Sequence, residues 1–349
     1  ADGLEVLELE EDLGRRIVHG EPHQGRADRG ARDARPRSLD VLERDGRPRW
    51  PLGRLHARHS STPARRQSAP VAVIPLAEIR DAAERIRRRV NRTPILTCRS
   101  LGERADVSLA LKCESFQKTG SFKPRGALNK VLSLSEAERA RGLVTVSAGN
   151  HAQAVAWSAR EVGVQCAVVM PAGAPRSKLD AVRGYGAEVI LHEDRATLFD
   201  RLEEVREARG MTFVHPFDDP VGLAGAGTVG LEIVEDLPGA DVVVVPAGGG
   251  GLLAGVASAM RQLAPGARVV GVELEAGPGF GPALAAGKPV PVPRPADTLA
   301  DGLTPPFVGA IPLAIVRECV DGIVTVTEQE IIAAMRLLVT RAKLYVEGA

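Results

Sequence analysis

The chain has 349 residues, of which 44% are hydrophobic and 26% charged, and its formal net charge at pH 7 is +1. This length and apolar content allow one large folded domain or two smaller ones. The balanced charge gives no electrostatic reason to expect a nucleic acid or an acidic membrane as a partner. Because no run approaches the ~20 apolar residues of a membrane helix and no signal peptide is recognisable, the cytoplasm is the expected location.

The first 70 residues differ from the rest of the chain in composition. They are rich in arginine, contain no lysine and have almost no Ile or Phe. Such a segment buries too little apolar surface to offset the entropy lost on ordering, so residues 1–70 are expected to be a disordered or artefactual extension, with a helical turn or two near residues 4–13. A nucleic-acid-binding arm is the alternative, but acidic residues interrupt the arginines throughout.

From about Pro75 the pattern becomes globular. It predicts a helix over residues 76–89, a strand over 107–113, and then helical stretches such as 152–162 and 251–263 that alternate with short apolar runs. The apolar runs are residues 143–146, 166–170, 188–191, 212–214, 242–245, 269–272 and 323–326. This alternation predicts a doubly wound α/β fold with mostly parallel sheets covered on both faces and ligands at the carboxyl ends of the strands.

The four cysteines are scattered, and no metal site is expected. They lack CxxC spacing and neighbouring histidine pairs, so they are interpreted as small buried hydrophobes. The four are Cys98, Cys113, Cys166 and Cys319.

The first segment with chemical potential surrounds Lys123. Gly120 and Ser121 suit a tight turn and a helix N-cap, so Lys123 is expected at the start of a helix. The positive end of the helix lowers a lysine pKa and favours a neutral, nucleophilic amine. Taken alone, the segment is better interpreted as a solvated lysine near a cap.

The second segment, residues 144–153, is an apolar strand that runs through small residues into a helix. Exposed amides at such a helix start form an anion site, and Ser147 and Asn150 are expected to help hold a carboxylate there. His151 either forms a hydrogen bond within the first helical turn or takes part in proton transfer; the local hydrogen bond is favoured.

The third segment is a buried strand followed by four consecutive glycines and a helix. Glycines let backbone amides converge on a phosphate without obstruction by side chains, although a flexible turn is the alternative. The glycines are Gly248, Gly249, Gly250 and Gly251. Taken together, the three segments fit a cofactor that carries an aldehyde and a phosphate.

With these three segments, the chain resembles the threonine/serine dehydratase and serine racemase group of the fold-type II pyridoxal-phosphate enzymes. The resemblance rests on residues 121–127, 147–153, 224–228, 248–251 and 299–302. It implies a catalytic domain over residues 71–349 that is incomplete at its C-terminus. A smaller lobe of roughly residues 112–222 would be inserted in a larger lobe formed by 71–111 and 223–349.

The resemblance also implies residue roles. Lys123 would carry pyridoxal 5'-phosphate as a Schiff base and move the Cα proton, Phe122 would pack on the pyridine ring, and Asn150 would bind the ring hydroxyl. Gly248, Gly249, Gly250 and Gly251 would bind the phosphate, whereas Ser147, Ala148, Asn150 and His151 would surround the substrate carboxylate. Asp301 and Gly302 would lie near the ligand.

Two departures from the group's pattern refine this expectation. Ala148 stands where racemases of the group carry a second serine hydroxyl, so elimination is favoured over racemisation. Glu273 and Gly277 match two ligands of the group's metal site, but Gly279 replaces the third, and no tight metal site is expected. Glu273 is then interpreted as a surface charge at a strand end.

The expected activity is the conversion of L-threonine or L-serine into 2-oxobutanoate or pyruvate and ammonia. Such an enzyme serves isoleucine biosynthesis or threonine catabolism, and a homodimer or homotetramer is the expected assembly. Three alternatives stay open: a 3-hydroxyaspartate dehydratase, a serine racemase, and a catalytically impaired relative that only binds ligand.

Overall fold

The computed structural model describes residues 72–295 and 297–349, which belong to one compact unit. The predicted extension over residues 1–70 and its helical turn near residues 4–13 lie outside the described residues. No helix of the described part is long and apolar enough to cross a membrane.

Helices and short strands alternate along the described chain. The α-helices are α1 (Leu76–Ile86), α2 (Arg99–Ala105), α3 (Lys123–Ser133), α4 (Glu136–Ala140), α5 (Asn150–Val162), α6 (Arg176–Gly184), α7 (Leu198–Arg209), α8 (Pro220–Asp236), α9 (Gly251–Leu263), α10 (Phe280–Ala286), α11 (Ala310–Cys319) and α12 (Glu328–Leu337). The strands are β1 (Ile95–Thr97), β2 (Ala110–Lys112), β3 (Leu143–Val146), β4 (Cys166–Pro171), β5 (Glu188–His192), β6 (Thr212–Phe213), β7 (Val242–Pro246), β8 (Arg268–Leu274) and β9 (Gly322–Val326).

One parallel sheet has the strand order β5-β4-β3-β6. Every residue of β3 and β4 is buried. Alternate residues of these strands enter two different hydrophobic clusters: Leu143 and Val168 pack with α5, whereas Val144 and Val169 pack with α7. Helices therefore cover both faces of this sheet, as the uninterrupted apolar runs predict.

A second parallel sheet has the order β7-β8-β9. Val243 and Val245 of β7 are buried in the cluster shared with α8 and α9. Val244 is 62% exposed and Val324 is 47% exposed, and the strand register places both on the opposite face. On that same face Leu274 and Val326, at the ends of β8 and β9, pack with Ile331 of α12, so a helix covers one end of the face and leaves Val244 and Val324 exposed.

The segment before α3 also differs from the prediction. The strand expected over residues 107–113 is reduced to β2, which pairs antiparallel with the unpredicted strand β1. Helix α1 ends at Ile86, three residues before the expected end. Both strands are three residues long, so their side-chain pattern is too short to give a reliable period.

All four cysteines are free and buried, as expected.

Glycines let three helices approach backbone to backbone. A Cβ atom on Gly225 of α8 would lie 2.4 Å from the carbonyl oxygen of Arg125 in α3. One on Gly255 of α9 would lie 2.7 Å from the carbonyl oxygen of Leu223 in α8. Helix α8 therefore sets the distance between α3, which begins with Lys123, and α9, which begins at the glycine run.

Candidate active site

Lys123 is the first residue of α3, as predicted, but the turn before it differs in detail. Gly120 has a φ of +74°, consistent with the expected tight turn. The residue at the N-cap position is Phe122, with φ −62° and ψ −20°, so the prediction that Ser121 caps the helix is wrong. The Ser121 hydroxyl is buried and has no hydrogen-bond partner among the described residues.

The Lys123 ammonium is surrounded by protein atoms that shield it from water. Its Nζ donates a hydrogen bond to the carbonyl oxygen of Pro216 at 2.7 Å. Burial lowers the pKa of Lys123 to about 8, and the charge of Glu347 opposes that shift. The low pKa agrees with the prediction, but its main cause is burial rather than the helix terminus.

Arg125, two residues further on, anchors the first turn of α3. Its guanidinium is 1% exposed and donates to Glu114 at 2.8 Å and to Glu232 of α8 at 2.6 Å. Lys112 of β2 donates to the same Glu232 at 2.6 Å. Two cations and two carboxylates thus join β2, the following turn, α3 and α8. Because buried charges are tolerated only when paired, this network specifies where α3 begins.

The predicted carboxylate loop connects β3 to α5. The Ser147 hydroxyl accepts a hydrogen bond from the Gly149 amide at 3.1 Å. Asn150 is the first residue of α5, and its Nδ2 donates to Oε1 of Glu347 at 2.5 Å. Ala148, between them, is partly buried. The loop therefore presents amides and an oriented side-chain amide at a helix start, an arrangement suited to an anion.

His151 is buried, and its bonding differs from the prediction. Its Nε2 lies 3.0 Å from the carbonyl oxygen of Val214, directly after β6, so the hydrogen bond is not local to the first helical turn. Burial, with a contribution from the Lys123 charge, lowers the pKa of His151 to about 3. The ring is therefore neutral at physiological pH and donates through Nε2, because a carbonyl oxygen can only accept.

The glycine run forms a cradle that side chains would fill. A Cβ atom on Gly249 would lie 2.3 Å from the Phe217 ring, and one on Gly250 would lie 2.5 Å from the Phe280 ring. Gly250 also has a φ of +95°, which disfavours any other residue. Among the described residues, the amides of Gly248, Gly249 and Gly250 donate no hydrogen bond to the protein. Free amides before the 13-residue helix α9 fit a phosphate group.

Several of the predicted residues line one cavity. Phe122, Lys123, His151 and Gly251 all line it. The other predicted residues are not among its lining residues: Ser147, Ala148, Asn150, Gly248, Gly249 and Gly250. Gly249 adjoins the cavity through Phe217, which lines it, and Gly248 lies beside Gly302, where a Cβ atom would be 3.1 Å from the Gly302 carbonyl oxygen. Asp301, before Gly302, pairs with Lys178 of α6.

The segment after β6 also lines this cavity, and the sequence did not single it out. His215, Pro216, Phe217 and Asp219 all contribute to the lining. The Nδ1 atom of His215 accepts from the Asp218 amide at 2.8 Å. The available signal was their position, because polar and aromatic residues follow a predicted strand at the end of a parallel sheet where ligands bind.

Glu273 is not the surface charge that the sequence suggested. Its side chain is buried, and Oε1 accepts from the Gly279 amide at 2.8 Å and from the Phe280 amide at 2.6 Å. The carboxylate therefore satisfies free amides at the start of α10.

Comparison with known proteins identifies the family. The family model described as "Pyridoxal-phosphate dependent enzyme" matches residues 86–349. The chain belongs to the pyridoxal-phosphate-dependent enzymes. The predicted fold and the predicted cofactor, pyridoxal phosphate, are thereby confirmed.

Individual relatives are similar over most of the described chain. An L-threonine ammonia-lyase of Geobacter sulfurreducens is 44% identical over 280 residues, which cover 79% of this chain and 69% of the relative. The solved T.th. threonine deaminase is 42% identical, with a TM-score of 0.74 over 78% of this chain and 89% of that one. Maize serine racemase is 35% identical, with a TM-score of 0.76 over 80% of this chain and 84% of that one.

Proposed function

We propose that this pyridoxal-phosphate enzyme is a threonine/serine ammonia-lyase. It converts L-threonine into 2-oxobutanoate and L-serine into pyruvate, and releases ammonia in both reactions. The observation that carries the proposal is Lys123, which has a pKa lowered to about 8 and lies in a cavity beside Phe122 and the first residue of α9. The 44% identity to an L-threonine ammonia-lyase supports the substrate class.

The surrounding residues suit the parts of the cofactor. Lys123 would hold the cofactor through its aldehyde, and Phe122 would contact the ring. The ring hydroxyl would accept a hydrogen bond from Asn150. The phosphate would bind the amides of the cradle, which is formed by Gly248, Gly249, Gly250 and Gly251. When bound, the protonated ring acts as an electron sink that makes the substrate Cα–H bond acidic.

The substrate carboxylate would bind at the start of α5. Ser147, the Ala148 amide and Asn150 supply donors there, and the amides of a helix start favour a negative charge. His151 would hold this loop against the carbonyl oxygen of Val214 rather than transfer protons, because its pKa of about 3 keeps the ring neutral.

Lys123 would move the proton at Cα. Once its amine is free, the lowered pKa gives Nζ a larger neutral, basic fraction near neutral pH than an ordinary lysine has, and the hydrogen bond to Pro216 orients it. The substrate hydroxyl then leaves with a proton, and the unsaturated amine hydrolyses to the keto acid and ammonia. Ala148 offers no acid or base on the opposite face, which favours elimination over racemisation.

The proposal includes a cytoplasmic homodimer or homotetramer that acts in isoleucine biosynthesis or threonine catabolism. Closed homo-oligomers are the common assembly of enzymes of this size. The mass of the purified protein in solution, measured by light scattering, tests the assembly.

A substrate panel tests the activity. Ammonia, keto acid and the chirality of the remaining amino acid are measured with L-threonine, L-serine, D-serine and L-threo-3-hydroxyaspartate. We expect ammonia and keto acid from the first two, no release with Lys123→Ala, and wild-type rates with the exposed control Lys118→Ala. Faster conversion of L-serine to D-serine than to pyruvate would establish a racemase, and preference for 3-hydroxyaspartate would establish that dehydratase. Cofactor binding without turnover of any substrate would establish a ligand-binding relative.

A further inference from the structure

Residues 344–349 contact Asn150 at the start of α5 and the segment 299–302. Leu344 is buried, whereas Tyr345 is 84% exposed. A Cβ atom on Gly348 would lie 2.4 Å from the carbonyl oxygen of Leu299, so the backbone here packs directly on the segment before Asp301. These contacts place Glu347 in a defined position.

The Glu347 carboxylate contacts a residue of the carboxylate loop. Its Oε1 accepts from Nδ2 of Asn150 at 2.5 Å, across 197 positions of sequence. A primary amide has two N–H donors on one side and an acceptor oxygen on the other. Because Glu347 can only accept when ionised, it determines which side of the Asn150 amide is the donor side and leaves the second N–H free.

Other charges surround Glu347. Lys123, Lys178 and Asp301 all influence it, and Lys178 is itself paired with Asp301. Glu347 keeps contact with solvent, yet the protein atoms around its carboxylate raise its pKa, mainly through partial burial. The influence is mutual, since the negative charge of Glu347 favours the protonated form of Lys123.

We propose that Glu347 is a positioning residue for the cofactor. Its carboxylate orients the Asn150 amide so that the free N–H faces the ring hydroxyl, and its charge favours a positive charge on the Lys123 nitrogen. This inference rests on the proposed function, because it takes Asn150 and Lys123 as the residues that hold the cofactor. It assigns a role to a residue that lies outside the lysine, asparagine and glycine segments.

Two substitutions of Glu347 separate the effect of its hydrogen bond to Asn150 from the effect of its charge. Glu347→Gln keeps an oxygen that can accept from Asn150 but removes the charge, whereas Glu347→Ala removes both. Glu275→Gln is the matched control, since Glu275 is an exposed carboxylate on the same compact unit. The full chain is loaded with pyridoxal phosphate, and three quantities are measured: the dissociation constant of the cofactor, the pH midpoint of its visible absorption change, and kcat and KM for L-threonine.

We expect Glu347→Ala to weaken cofactor binding by about 3- to 10-fold through loss of the hydrogen bond. Glu347→Gln should stay within about twofold of wild type in affinity because it keeps that bond. Both variants should move the absorption midpoint to lower pH by about half a unit, because a negative charge that favoured protonation is gone. The main kinetic effect should fall on kcat, and Glu275→Gln should match wild type throughout.

The inference fails if both Glu347 variants match Glu275→Gln in affinity and in pH midpoint while the wild type releases ammonia. A loss of affinity with an unchanged midpoint would also overturn it, because a purely structural role would produce that pattern. If Glu347→Ala does not fold, the midpoint of Glu347→Gln decides. A wild type that binds no cofactor or releases no ammonia would instead overturn the proposed function.

Discussion

Gly225 of α8 is the position where a single methyl group tests how Lys123 is placed. A Cβ atom there would lie 2.4 Å from the carbonyl oxygen of Arg125 and 2.7 Å from the Cα of Gly126, both in α3. In α8 itself, Gly222 is the matched control, since its nearest contact would be an ordinary 3.8 Å to Asp219. The two alanine substitutions share the same helix and the same chemistry.

The two substitutions should change the free energy of unfolding in opposite directions. Alanine in place of glycine in a helix interior stabilises by about 1 kcal/mol, and Gly222→Ala should show most of that gain. Overpacking costs about 1–3 kcal/mol, and a clash with rigid backbone belongs at the upper end, so Gly225→Ala should destabilise by about 2 kcal/mol net. The variants should therefore differ by about 3 kcal/mol, or about 6–12 °C in Tm.

Thermal unfolding followed by circular dichroism measures this difference. Cofactor-free samples are compared first, because a ligand that binds only the folded state would shift Tm by mass action. Cofactor affinity of Gly225→Ala is then measured against the wild type, and we expect it to fall, since that variant moves α3; Gly222 lines the cavity and serves as the control for stability only. Equal melting temperatures, or a higher one for Gly225→Ala, would refute the idea that backbone contact between α3 and α8 sets the position of Lys123.

Three further changes have expected outcomes. Arg125→Met should lower the free energy of unfolding by about 3–5 kcal/mol in a denaturant titration, because the largely buried carboxylates of Glu114 and Glu232 lose the Arg125 cation and only Glu232 keeps a second cation, Lys112; a change below about 1 kcal/mol would contradict the role given to this network. Gly249→Ala should weaken pyridoxal phosphate binding at least about 10-fold, whereas Gly266→Ala, with no atom within 4 Å of its Cβ position, should not. The pKa of Lys123 is lowered to about 8, and only the neutral amine attacks an aldehyde, so cofactor uptake by the cofactor-free protein should accelerate as pH rises through about 8 in stopped-flow absorbance; a rate independent of pH between 6 and 9 would contradict this reasoning.

Local sequence patterns were sufficient to predict the buried strands at the core of the fold and the position of Lys123 at a helix start. The runs that became β3 and β4 are entirely apolar, and such runs predict strands buried on both faces regardless of what packs on them. The turn before Lys123 and the glycine cradle were readable for a similar reason, since positive φ angles and a helix start depend on residues adjacent in sequence.

Contacts between residues that are far apart in the sequence determined the features that local patterns did not predict. His151 is bonded to the carbonyl oxygen of Val214, and Asn150 to Glu347, so neither partner follows from spacing along the chain. The partly exposed face of the β7–β9 sheet was equally unpredictable from the sequence, because valines predict a strand but not what covers each side.

By itself, the sequence determined that a lysine at a helix start, the small-residue loop before α5 and the glycine run each follow a strand, since these features depend on neighbouring residues. Only the tertiary structure decided that the pKa of Lys123 is lowered mainly by burial, because desolvation depends on every atom packed around the amine. It alone also brought Glu347 to Asn150, a contact whose free energy depends on two segments far apart in the chain.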